Sequence, residues 1–183
     1  EQRSRLEQER IARIEARLNE IAEEDTMPEF DVAVKTVPAM LVASRRVRIP
    51  SNDQVPAVLG AAYDETYAHI GAHGAKPLDP CLALWHTTSE TMEDEDAEAI
   101  VPVSHAIPEG DNVRVYELAG GTMASAVWSG PFDQFTKLHP MLLRWIDANG
   151  YRVDGPSREI YIRLDHAAPE TSVTEVQYPI ARA

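Results

Sequence analysis

The chain has 183 residues, 44% of them hydrophobic, which is enough for one domain with a true core and one additional segment. A formal net charge of −13 at pH 7 repels phosphate backbones, argues against direct nucleic-acid binding by this chain, and favours cationic partners. No run approaches the roughly 18 apolar residues of a membrane helix, no signal pattern opens the chain, and the single cysteine, Cys81, rules out an internal disulfide or a cysteine zinc cluster; a cytoplasmic protein with no membrane contact and no cofactor is expected.

The first segment, residues 1–26, lacks Gly and Pro and is rich in Glu and Arg, which predicts a long helix. Ile11, Ile14, Leu18 and Ile21 recur at alternating spacings of three and four. That is a coiled-coil type seam about two heptads long, too short to be stable without a partner. Two readings stand: a helix lying on its own domain, or a homodimer contact. Pro28 ends the helical pattern, and a different regime begins.

From Phe30 the period changes to that of strands, with FDVAVKTV and MLVASRRVRI on either side of Pro38. The run RRVR within the second reads as an edge or surface feature. Ser51 and Gln54 predict a capping-box start for a helix whose face carries Val55, Leu59, Ala62, Tyr63, Thr66 and Ile70, and Gly74 stops it. Strands CLALWHT and AIVPVSHA follow, joined by SETMEDEDAE, which carries six acids and no base and is expected to be an exposed loop. A strand VRVYELAGGTMASAVWSG comes next, with Gly120 and Gly121 read as a bulge. A helix over 132–149 contains Pro140, which predicts a kink or a late start. Strands REIYIRL and VTEVQYPI complete the chain.

Two parts of this order match. HGAKPLDPCLALW at 73–85 aligns with NGYRVDGPSREIY at 149–161, and EAIVPV at 98–103 aligns with EVQYPI at 175–180. The chain is an internal duplication, with repeat one at about 30–106 and repeat two at about 113–181, each reading strand, helix, strand, strand. A unit of that size cannot bury its apolar sheet face alone. The expected fold is therefore α+β: duplicated βαββ units in one antiparallel sheet, both helices on one side, related by a pseudo-twofold axis. The junction is where a ligand cleft is expected.

The duplication singles out Glu159. Ala83 occupies its place in the first copy, so the fold does not require a carboxylate there. Strand alternation puts Cys81, Ala83 and Trp85 on one face and Ser157, Glu159 and Tyr161 on the equivalent face. If those faces meet at the axis, one carboxylate lies among Trp85, Tyr161, Tyr63, Tyr67 and Tyr178, a set suited to a cation with an aromatic body. The plain alternative is a surface ion pair between Glu159 and Arg158 or Arg163. The histidines His69, His73, His86, His105 and His139 have no metal-ligand spacing, so no metal site is predicted. Ser51, Ser89, Ser125 and Ser129 lack the setting of a catalytic nucleophile, and Cys81 reads as a small strand residue.

The motifs EFDVAVKTVPAMLVASRR, CLALWH, EAIVPV, ANGYRVDGPSREIYI and VTEVQYPI resemble the GyrI-like ligand-binding domain over residues 29–182. RIARIEARLNEIAEED just before it is similar to the dimerisation helix of MerR-type transcription regulators. The resemblance implies a cavity for lipophilic, often cationic, aromatic compounds, with the family's characteristic acidic residue at Glu159. It also implies that DNA binding belongs to a segment absent from this chain. An enzyme is the other implication, since some GyrI-like proteins hydrolyse reactive small molecules; Glu159 would then activate water.

Overall fold

A computed structural model describes residues 31–87, 93–131, 137–165 and 167–183. The N-terminal helix expected over 1–26 lies outside the described residues. The described residues form nine strands and two α-helices: β1 (Ala33–Val37), β2 (Met40–Ile49), α1 (Val55–Ala72), β3 (Leu82–Trp85), β4 (Glu95–Pro102), β5 (Val113–Leu118), β6 (Gly121–Ser129), α2 (Leu138–Ala148), β7 (Tyr151–Val153), β8 (Ser157–Arg163) and β9 (Val173–Arg182). The sheet runs β1-β6-β9-β8-β3-β4-β2-β5, with β7 added to β9, and every pairing is antiparallel.

This order reads as two equivalent halves, β5-β2-β4-β3 and β1-β6-β9-β8, meeting where β3 pairs with β8. Each half takes its outer strand from the other repeat: β1 precedes β2 in sequence but pairs with β6, and β5 precedes β6 but pairs with β2. The Val37↔Gly121 and Met40↔Leu118 partners keep one register, so the two ladders continue each other across the connections. Gly120 sits at this crossing. A Cβ there would lie 2.3 Å from the Val37 carbonyl oxygen and 2.6 Å from the Ala39 nitrogen, a contact only glycine permits. The glycine pair thus marks the crossing of two connections of the one chain, not the bulge its sequence suggests.

Ser51 does not cap α1; its hydroxyl bonds Asp53 at 2.5 Å, and a 3-10 turn over Asn52–Gln54 leads into the helix. Leu59, Ala62, Thr66 and Ile70 form its buried face, and Gly74 follows its end at φ +70°. The second helix starts late, at Leu138, so Pro140 falls in the first turn, where its missing N–H breaks no hydrogen bond. Leu138, Leu142 and Ile146 are its buried residues. Both helices lie on the same sheet face. Ala83 packs in the cluster beneath α1 with Leu59 and Ala62, and its cross-strand partner Glu159 is bonded from α2.

Of the acidic run expected as an exposed loop, residues 93–98 are described, and part of them is strand. Glu95–Glu98 belong to β4, where Glu95 and Glu98 are buried, because the strand begins four residues earlier than the apolar pattern suggests. Asp94 and Asp96 are held by Arg48 and Arg46, the outward members of RRVR, on a stretch of β2 that extends beyond its pairing with β5. The helix-free face buries Val42, Leu82, Leu84, Ile100 and Leu118. On the same face each repeat holds one buried carboxylate. Glu98 accepts hydrogen bonds from Ser44 and Tyr116 and contacts His86; Glu175 accepts from Ser125 and Gln177 and pairs with Lys35.

Candidate functional site

The site forms where the halves meet. The β3–β8 register sets Ala83 opposite Glu159 and Trp85 opposite Ser157, so the equivalent positions of the two copies become direct neighbours. Alternation then carries Tyr161 onto the same face as Glu159, and Val176, the β9 partner of Glu159, faces inward beside it.

Glu159 is only 8% exposed. Burying a carboxylate this far costs free energy unless hydrogen bonds or a positive charge replace water. Here Oε1 lies 3.0 Å from His139 Nε2, and the Tyr161 hydroxyl donates to Oε2 at 3.1 Å. His139 Nδ1 is 2.7 Å from the Tyr178 hydroxyl, and the two rings meet edge to face at 5.8 Å. Arg158 and Arg163 take no part. Arg158 points to the helix-free face and donates to the Ala119 carbonyl, while Arg163 donates to Thr171, so the surface ion pair weighed for Glu159 does not form. Among the described ion pairs His139 is its partner, with no lysine or arginine.

The phenols around the carboxylate are kept neutral. Burial, reinforced by the Glu159 charge, pushes Tyr161 well above the ordinary tyrosine range. Burial does the same for Tyr63, which donates to the Leu82 carbonyl at 2.6 Å and meets Tyr161 edge on at 6.5 Å. Tyr178 is pushed up to about 12 by burial, with Glu159 adding to the effect. Tyr67 is also raised to about 12, chiefly by burial, with Cys81 contributing. At neutral pH these rings offer apolar faces and O–H donors beside a single carboxylate.

Of the residues singled out by pattern, Glu159, Tyr161, Tyr63 and Tyr178 lie within one network of contacts on the helix-covered face. Tyr67 stands apart at the rim, 37% exposed, one helical turn beyond Tyr63. Trp85 is on the same strand face but is packed under α1 with Ile49, Leu59, Ala62 and Ala97, and its buried Nε1–H has no hydrogen-bond acceptor. His139 was not among the pattern residues, although it is the group bonded to both Glu159 and Tyr178. A lone histidine in the first turn of a helix carries no spacing signal; its link to Glu159 arises only from where α2 lands.

The buried carboxylates of the other face were also missed as a pair. Their signal was present, because Glu98 and Glu175 open the two aligned segments EAIVPV and EVQYPI. Burial alone would raise both, but hydrogen bonds outweigh it, from Ser44, His86 and Tyr116 in one case and from Lys35, Ser125 and Gln177 in the other, and both stay below the ordinary carboxylate range. Being fully partnered, they read as structural. An open groove of about 430 Å³ adjoins Glu98, between Arg46, Arg114 and Tyr116. Its walls neutralise themselves through Arg46–Asp96, Arg45–Glu65 and Arg114–Glu109 pairs, and no aromatic cluster lines it. The described residues contain no group of three or more His, Cys, Asp or Glu side chains able to hold a metal ion, and no described helix is long and apolar enough to cross a membrane.

Residues 30–181 match the model of the GyrI-like small molecule binding domain. No curated protein sequence matches the chain. Among solved structures, EcmrR in a complex with DNA superposes with a TM-score of 0.78 at 22% identity, over 100% of this chain and 71% of that one. A hydrolase of Listeria innocua is similar at 14% identity and a TM-score of 0.58, over 87% of this chain and 96% of the other. SAV2435 bound to tetraphenylphosphonium gives 13% identity and 0.56, over 84% and 94%. At these identities the likeness is one of fold.

Proposed function

The chain belongs to the GyrI-like small molecule binding domain family, and on that footing we propose that it is the ligand-sensing part of a dimeric transcription regulator, taking a lipophilic, aromatic, positively charged molecule between its two repeats. The observation that carries this reading is Glu159: a buried carboxylate at the junction of the halves, ringed by neutral phenols and paired with no lysine or arginine among the described ion pairs. A ligand cation supplies the missing positive charge, and the ring faces of Tyr63, Tyr161 and Tyr178 supply stacking and cation–π attraction. The tetraphenylphosphonium held by SAV2435 is a molecule of this class. In this reading the seam Ile11, Ile14, Leu18 and Ile21 joins two copies, and contact with DNA belongs to a segment outside this chain.

The test is a fluorescence titration with tetraphenylphosphonium and a neutral triaryl analogue of the same outline. Saturable binding with preference for the cation supports the reading; equal affinity, or none for either, removes it. Double replacement Ile14→Glu with Leu18→Glu should shift sedimentation from dimer to monomer.

A second reading is favoured by one observation. The Tyr161–Glu159–His139 chain holds a carboxylate between two groups able to pass protons, an arrangement that also suits water activation in a hydrolase of reactive small molecules. In that case Glu159→Gln abolishes turnover while substrate binding survives.

A further inference from the structure

We propose that Arg158 anchors a second ligand site, on the helix-free face of the sheet, that takes a small monoanionic carboxylate. This goes beyond the cationic-ligand reading and stands without it, because the two sites lie on opposite faces.

Arg158 and Glu159 are consecutive on β8, so their side chains leave the sheet in opposite directions. The aligned segments of the two repeats set Leu82 at the position of Arg158, as they set Ala83 at that of Glu159. The fold therefore needs no charge at either position. Repeat two places one on each face, a carboxylate toward the helices and a guanidinium away from them.

The face that receives the guanidinium is concave. Arg158 Nη2 donates to the carbonyl of Ala119, the residue that follows β5, at 2.6 Å. In the sheet order β8 and β5 are four strand steps apart, about 19 Å if the sheet were flat. One side chain closes that span only because the sheet curls over it. The apolar cluster of Val42, Leu82, Leu84, Ile100 and Leu118 lies on this face; Leu84 is a cross-strand partner of Arg158, and Leu118 precedes Ala119. Arg158 is 5% exposed.

A guanidinium buried this far is costly unless an anion or a full set of acceptors replaces water. Arg158 has neither. Its Nε–H is buried without an acceptor, and it belongs to none of the described ion pairs. Both buried carboxylates of the face are committed elsewhere: Glu98 to Ser44, Tyr116 and His86, and Glu175 to Ser125, Gln177 and Lys35. Burial pushes the guanidinium below the ordinary arginine range, with the Tyr116 phenol opposing.

What the guanidinium lacks defines the ligand. One uncompensated positive charge calls for one negative charge, and a planar fork of N–H donors matches the two oxygens of a carboxylate. Enclosure limits the ligand to a small molecule. The groove of about 430 Å³ lined by Ser44, Arg46, Glu98, Arg114 and Tyr116 is the approach from solvent, since Tyr116 in its wall is within electrostatic reach of Arg158.

Proton–nitrogen correlation NMR of the arginine Nε–H groups, with the native chain titrated by sodium acetate at fixed ionic strength, reads the site directly; acetamide is the neutral control. The Arg158 resonance, identified by its loss in Arg158→Leu or in Arg158→Lys, should shift saturably with acetate and stay in place with acetamide. Acetate should also raise the melting temperature of the native chain by linkage. That rise should be absent in Arg158→Leu, and in Arg158→Lys, which keeps the charge without the fork, it should need about tenfold more acetate. A resonance unmoved by acetate, or moved equally by acetamide, overturns the proposal: Nε then bonds water, and Arg158 only ties β8 to the crossing at Ala119. Acetate stabilisation that survives in Arg158→Leu overturns it as well. None of these outcomes bears on cation binding in the cleft, because Glu159 is untouched in every variant.

Discussion

Ala83 and Glu159 face each other across the β3–β8 ladder as direct register partners. They are also the same position of the two repeats, so the axis relating the halves passes between an alanine and a carboxylate. A symmetric core would place two methyl groups there or two charges. Two adjacent buried carboxylates repel, and two alanines carry no charge; one of each leaves a single charge at the junction.

Glu159→Gln keeps the outline of the side chain and removes its charge. Cationic ligands should lose affinity by about 1–3 kcal/mol while neutral ligands of the same outline lose little. Parallel titrations decide it; equal losses for both ligand types would count against charge recognition.

Trp85 is 9% exposed and packed beneath α1, which makes it a pillar of the fold as well as a candidate wall. Trp85→Ala should lower stability by about 3–5 kcal/mol in chemical denaturation. Trp85→Phe should cost much less than that, because the indole N–H it removes has no acceptor. If the alanine variant unfolds at the native denaturant midpoint, the packing role assigned here is wrong.

Gly120→Ala places a methyl group against the backbone of Val37–Ala39, and neither strand can yield without shifting its ladder. The expected loss is about 3 kcal/mol or more. Gly60→Ala is the control, since its added Cβ meets nothing within 4 Å in a helix interior; it should raise the midpoint slightly.

Acid should loosen the helix-free face. Hydrogen bonds hold the Glu98 and Glu175 carboxyls below the ordinary glutamate value in the folded protein. Their contribution is thus fully present above the unfolded value and is lost as pH falls through the depressed folded values. Melting temperature should drop steeply below about pH 4.5. Glu98→Gln should destabilise at neutral pH by about 1–3 kcal/mol and flatten that acid limb. An acid limb identical to the native one would show that Glu98 does not contribute to it.

Much of this is legible in the amino-acid sequence. The duplicated segments announced the pseudo-twofold, and period-two alternation placed Cys81, Ala83 and Trp85 on one face and Ser157, Glu159 and Tyr161 on the equivalent face, because a strand's faces follow from its residue order. Pro140 marked the late start of α2 for an equally local reason. What stayed hidden depends on long-range pairing. Alternation says which face a residue takes, never which strand lies beside it, so the exchange of β1 and β5 left no trace beyond two adjacent glycines. His139 was hidden in the same way, being a partner of Glu159 only through the docking of α2. The acidic run misled because charge suggests solvent, whereas Glu95 and Glu98 are buried among hydroxyls, a histidine and paired backbone.

The exchanged outer strands have a consequence for where this chain came from and how it can be divided. Cutting the connection at 103–112 would separate the repeats by sequence but not by structure: the first fragment would carry β1 without its partner β6, and the second would carry β5 without β2. Each piece would offer one arm and lack another of the same kind. That is the wiring of a strand-swapped homodimer whose two subunits are joined end to end, with Ala83 and Glu159 as the pair at which its two halves differ across the junction.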